Sequence, residues 1–164
     1  INGGSIELDV AKKKWRFKKN KYLIKWILES EKLNQYNEVS RHKKFFKECQ
    51  NHKILLKKLL LALKKQNKRI LGYGASTKGN VLLQYCNINS KLINCIAEVN
   101  KFKFNKYTPG SKIKIISEKQ TKKKKPDFLL VLPWHFKEHI IKKEKKFLKN
   151  GGKLIFPLPD IEII

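Results

Sequence analysis

The sequence predicts an α/β fold, with a doubly wound, mostly parallel sheet preceded by a helical lead-in. Three observations carry this expectation. From residue 68 onward, short apolar runs alternate with stretches of helical period, the order that wraps helices over both faces of a parallel sheet. The first run, 69–73, passes through Gly72-Tyr73-Gly74 into a helical segment, the strand–glycine turn–helix order of a Rossmann-like βαβ unit. Residues 128–132 are continuously apolar, as a strand covered on both faces requires.

Taken in order, Asn2-Gly3-Gly4-Ser5 reads as a turn, and 6–10 alternates apolar and polar like a strand. One strand cannot stand alone, so 1–19 is expected to be the end of an upstream domain plus a basic linker carrying Trp15 and Phe17. Residues 20–67 form the helical lead-in. A short helix is expected at 22–30, with Leu23, Ile24, Trp26, Ile27 and Leu28 on its buried side. A longer one, with room for a break, spans 34–67. Its core stripe is expected at Tyr36, Val39, Phe45, Phe46, Cys49, Ile54, Leu55, Leu59, Leu60 and Leu63.

Residues 68–164 form the Rossmann-like domain. Strands are expected at 69–73, 92–99, 112–116, 127–132, 153–156 and 161–164. Helices are expected at 77–85 and 137–148, the second stopped by Asn150-Gly151-Gly152. Ser117 is placed to cap a brief helix. In Tyr107-Thr108-Pro109-Gly110, Pro and Gly suit the two central positions of a turn.

Composition narrows the partners. The chain has 164 residues, of which 41% are hydrophobic, enough for a real core, and a net charge of +26. No apolar run approaches the roughly 20 residues of a membrane helix, and no signal-peptide pattern opens the chain. Only Arg16, Arg41 and Arg69 among 39 basic residues are arginine, the side chain that base readers and phosphate forks favour. The lysines are spread over every element, so solvated lysine faces are favoured over a specific nucleic-acid surface. Cys49, Cys86 and Cys95 show no paired spacing, which points to a reducing, cytoplasmic setting. Cys86 and Cys95 are expected in the core. His135 and His139 lack a third ligand nearby, so no metal site is expected.

The chemistry concentrates at the glycine turn. Gly72 and Gly74 permit positive φ and close approach, Ser76 or Thr77 can cap the helix, and Lys78 adds charge at the same end. That suits a diphosphate. The third glycine, Gly79, comes two residues later than in the dinucleotide fingerprint. Glu98 ends the second strand, where an acid commonly takes ribose hydroxyls; a solvated carboxylate fits the spacing equally. Asn100 and the loop 101–106 follow on the same edge. Trp134 and His135 follow a buried strand and reach that edge as well. A ligand-lining role for at least one of them is favoured over core packing and helix capping, and His135 is a weak acid–base candidate.

Gly72-Tyr73-Gly74-Ala75-Ser76-Thr77-Lys78-Gly79-Asn80 with Leu82-Leu83-Gln84-Tyr85-Cys86 resembles the carboxyl-terminal domain of the S-adenosylmethionine-dependent nucleotide-sugar C-methyltransferases. Lys106-Tyr107-Thr108-Pro109-Gly110, Leu132-Pro133-Trp134-His135-Phe136 and the run Gly151-Gly152-Lys153-Leu154-Ile155-Phe156-Pro157-Leu158-Pro159 resemble it in the same order, as does Gly3-Gly4-Ser5. The resemblance implies an amino-terminal zinc domain, a central S-adenosylmethionine domain ending near 6–10, and this terminal domain. It implies methylation of a carbon in nucleotide-linked keto-deoxysugars, by deprotonation beside a ketone and attack of the enolate on the donor methyl. The donor site and the catalytic residues would lie upstream, so no catalytic residue is assigned here. The implied role of this chain is to anchor the substrate's diphosphate, through Gly74, Ala75, Ser76, Lys78, Gly79 and Asn80, with Glu98, Tyr107, Trp134 and His135 behind them. It would contact the upstream domain within one polypeptide. A nicotinamide-dependent oxidoreductase domain and a lysine-rich nucleic-acid module are the alternatives.

Overall fold

The computed structural model describes Val10, Lys12 and residues 20–164. The strand expected at 6–10 and the linker expected at 12–20 lie outside the described residues, apart from Val10, Lys12 and Asn20. The chain divides into two compact units, residues 1–50 and 51–164.

In the first unit, α1 (Lys21–Leu33) begins where the Asn20 side chain accepts from the Leu23 amide at 3.1 Å. The helix is as expected in place, but its burial is not. No residue of α1 is buried, and Leu23, Ile24, Trp26, Ile27 and Leu28 are all exposed, Trp26 at 65%. An amphipathic stripe is buried only when another layer covers it, which periodicity alone does not supply. The next helix, α2 (Val39–Lys65), starts after a turn in which Gln35 adopts φ 56°. It therefore begins at Val39 rather than residue 34.

The division into units falls within α2, and so does the change in its burial. Only Leu56, Leu60 and Leu63 are buried, with Leu59 partly so. Tyr36, Val39, Phe45, Phe46, Ile54 and Leu55, expected in the core, are exposed, while Leu56 was not expected there. The true stripe follows an i, i+4, i+7 spacing confined to the helix's second half. The aromatic residues of the first half had shifted its apparent phase.

The second unit is a six-stranded sheet in the order β3-β2-β1-β4-β5-β6. Its strands are β1 (Ile70–Tyr73), β2 (Cys95–Glu98), β3 (Lys114–Ser117), β4 (Phe128–Val131), β5 (Lys153–Phe156) and β6 (Glu162–Ile163). The first five are parallel, and β6 runs antiparallel to β5. All four residues of β1, β2 and β4 are buried, the mark of a parallel sheet covered on both faces. The fold is the Rossmann-like one, and the chain reverses direction across the sheet between β1 and β4.

Two cores sit on the two faces, and period-2 alternation feeds them. Phe128, Leu130 and Leu132 join one core with Leu56, Leu60 and Leu63 of α2 and Leu82 and Leu83 of α3 (Thr77–Tyr85). Leu129 and Val131 join the other with Tyr73, Leu154 and Ile140. Ile140 lies on α5 (Lys137–Lys143), which continues as α6 (Lys145–Lys149). The single helix expected at 137–148 is thus broken at Glu144, whose φ and ψ are −95° and 20°. Cys86 and Cys95 are buried, as expected. Ser117 caps α4 (Glu118–Lys123) with Gln120 in a reciprocal capping box. The second strand starts at Cys95 rather than residue 92, because Leu92 and Ile93 still close a turn on the Asn89 carbonyl.

Candidate functional site

The carboxyl ends of β1, β2 and β4 converge where the chain reverses, the place ligands take in open α/β sheets. β1 stops at Tyr73 and the chain turns at Gly74, which holds φ 77°. A Cβ there would stand 2.7 Å from the Pro133 ring, so glycine is required twice over. The turn is fastened from within. The Gly74 amide donates to the Ala97 carbonyl at 2.8 Å, and the Ser76 amide donates to the Gly74 carbonyl at 2.9 Å. Ser76 then caps α3, its Oγ accepting from the Gly79 amide at 3.0 Å.

Glu98 is the buckle of this turn. It is 7% exposed, so it is not a solvated strand-end carboxylate. Its Oε2 accepts from the Ala75 amide at 3.0 Å, and its Oε1 accepts from the Val99 and Asn100 amides at 2.8 and 3.0 Å. Lys103 completes the set, its Nζ 3.5 Å from Glu98 Oε2 and donating to the Ala75 carbonyl at 2.9 Å. With this many donors already on its oxygens, Glu98 does not offer the open acceptor that a dinucleotide ribose needs. The same argument applies to the nucleoside of S-adenosylmethionine, so the residues here do not fit a methyl donor in that position. Among the described residues, no group of three or more His, Cys, Asp or Glu could hold a metal ion.

Gly79 supplies the close approach of helix to strand. A Cβ on it would lie 2.4 Å from Leu132 Cβ, so α3 can sit on the end of β4 only without one. Lys78 is exposed on the first turn of α3. Asn80 follows it, and its Oδ1 is a buried atom with no hydrogen-bond partner among the described residues. His135 Nδ1 is another. Burial of the imidazole, with Lys78 adding repulsion, lowers the His135 pKa from its ordinary value. Trp134 packs against both cores from the 3-10 turn Trp134–Phe136.

A cleft of about 270 Å³ opens here, lined by Gly74, Ala75, Ser76, Glu98, Lys103 and Pro133 among others. Of the expected residues, Gly74, Ala75, Ser76 and Glu98 line this cleft, while Lys78, Gly79, Asn80, Trp134 and His135 follow β1 and β4 at the same edge without lining it. Tyr107 is the exception. It bridges to Lys114, the first residue of β3, whereas the carboxyl end of that strand is Ser117. At about 3.3 Å per residue, Tyr107 stands roughly 10 Å down the strand from the turn's edge. Sequence reasoning placed the loop 101–106 on this edge without singling out Lys103. A lysine soon after an acidic strand end was the available signal.

A family model for the C-methyltransferase C-terminal domain matches residues 1–159. The chain is also similar to the C-methyltransferase NovU of Streptomyces niveus, 37% identical over 109 residues. That stretch is 66% of this chain and 26% of the relative, so the match spans about a quarter of the relative's length.

Proposed function

The chain belongs to the C-methyltransferase C-terminal domain family, and from that premise we propose that it holds a nucleotide-linked keto-deoxysugar for methylation elsewhere in the enzyme. The observation that carries the proposal is the cleft at the sheet's reversal point, lined by Ser76 at the amino end of α3 and by the cation Lys103, with Lys78 exposed on the first turn of the same helix. The partial positive charge of a helix start suits a diphosphate. The roles then divide. Lys78 and the α3 amides meet the anion, while Gly74, Ala75, Gly79 and Glu98 shape and fasten the turn. Asn80 and His135, whose buried unpartnered atoms lie outside the cleft's lining, stand behind the turn. Trp134 backs the edge, and Tyr107 serves the ligand only from a distance.

In the whole enzyme, S-adenosylmethionine would supply the methyl group, held by residues outside the site described here. The present chain contributes positioning and charge neutralisation rather than proton transfer. Zinc and the donor site belong to upstream domains in this proposal, 1–19 leads in from them, and the enzyme works in the cytoplasm. Among the described residues no helix is long and apolar enough to cross a membrane.

The test is a calorimetric titration of the chain with a thymidine diphosphate sugar. Binding is expected to weaken about tenfold in Lys78→Ala, the loss of one charge-assisted phosphate contact. Affinity indifferent to that substitution would remove the phosphate role.

A further inference from the structure

The cleft has one wall that the glycine turn does not supply. Phe136, His139, Ile140 and Lys143 line it, the i, i+3, i+4, i+7 spacing of a single helical stripe. The stripe runs from the 3-10 turn along α5, so the lie of α5 decides how far this wall stands from Gly74, Ala75 and Ser76. Yet α5 is only seven residues long, and Ile140 is its one buried residue. A single apolar anchor fixes where a helix touches a sheet but leaves it free to pivot about that contact.

Polar ties oppose the pivot. Lys137 meets Glu162 at 2.5 Å, and Lys143 meets Glu118 at 2.6 Å. Both pairs are partly exposed, so water screens them and each holds weakly. Glu144, which closes α5, differs. It is 3% exposed and accepts from the Tyr73 hydroxyl at 3.0 Å. Burial first, then the charges of Glu144 and Glu118, push the Tyr73 pKa upward, so the hydroxyl stays protonated and donates. A bond to a buried carboxylate is poorly screened, and breaking it leaves a buried charge short of a partner. Of these ties, this one holds hardest. Its other end matters as much. Tyr73 is the last residue of β1, its carbonyl accepts from the Leu132 amide at 3.0 Å, and Gly74 follows it. The bond thus joins the end of α5 to the strand that enters the turn.

We propose that Glu144 is a positioning residue for the cleft: through the Tyr73 hydroxyl it sets the stripe of Phe136, His139 and Lys143 at a fixed distance from the Gly74 turn. Glu144 lies outside the cleft's lining and acts through Tyr73, which is part of it. The inference rests on the proposed function only for the ligand the cleft takes. The tilt of α5 is a property of the chain alone.

Backbone N–H residual dipolar couplings of the full chain read the tilt of α5 against the sheet, and calorimetry with inorganic pyrophosphate reads the cleft. Tyr73→Phe keeps the ring and removes the hydroxyl. It is expected to tilt α5 and to weaken pyrophosphate roughly fivefold in the folded chain, within the range for coupling through a side-chain network. The double substitution Tyr73→Phe/Glu144→Leu removes both partners, so no buried charge is left to unfold the chain, and should show the same tilt and the same loss. Glu144→Gln retains an acceptor oxygen for the hydroxyl and should keep both readings near those of the unsubstituted chain. Lys137→Met, which cuts an exposed tie, should change neither. An unchanged tilt in both hydroxyl-free variants, even with a lowered unfolding midpoint, would overturn the inference, as would an equal tilt in Lys137→Met. No pyrophosphate binding by the unsubstituted chain, with α5 tilted in the variants, would remove the phosphate reading and leave this one standing.

Discussion

Glu98 was legible as an acid at the end of the second strand, but its task was not. Spacing could not reveal that the Ala75, Val99 and Asn100 amides all turn toward it, because those donors come from two separate loops. Glu98→Gln keeps the shape and removes the charge. It is expected to cost about 1–3 kcal/mol in urea unfolding, the range for a buried group losing satisfied partners. His135 carries a pH signature. Its folded pKa lies below its ordinary value, through burial first and Lys78 second. The unfolded chain therefore binds the proton more readily. Its contribution to stability is intact above the ordinary histidine pKa of about 6.5 and is lost as pH falls through the lower folded value. An imidazole NMR titration should place the midpoint below that of a free histidine, and Lys78→Ala should move it partway back.

At the level of elements, the strands and α3 were legible because short apolar runs between turn residues have few other solutions. The Ser117 cap was legible for the same local reason. What escaped were features set by contact across the fold. The break in the last helix turns on Glu144 reaching the Tyr73 hydroxyl, 71 residues away in sequence. The phase of α2 is decided by which turn meets the sheet, and the apolar side chains of its first half gave no hint that Leu56 would. Gly79 shows how an element-scale clash overrides propensity. Alanine there would gain up to about 1 kcal/mol of helix propensity. It would also place a Cβ 2.4 Å from Leu132 Cβ and 2.9 Å from Ser76 Oγ. Overpacking of about 1–3 kcal/mol should win, and Gly79→Ala should lower the midpoint of chemical unfolding.

For the whole molecule, alternation of strand and helix was enough to give the class and the sheet's parallel character. It was not enough to foresee that α1 would bury none of its residues. The cores lie within residues 51–164, so a chain starting at Asn51 is expected to unfold cooperatively in a thermal circular-dichroism scan. A broad, non-cooperative transition would show that the first unit is needed for folding. The central claim is that this chain grips the substrate and leaves the methyl donor to the rest of the enzyme. Calorimetric titration of the chain with thymidine diphosphate, and separately with S-adenosylmethionine, tests it most directly. The account predicts saturable heat from the first and none from the second. Saturable binding of S-adenosylmethionine, with no response to thymidine diphosphate, would contradict it.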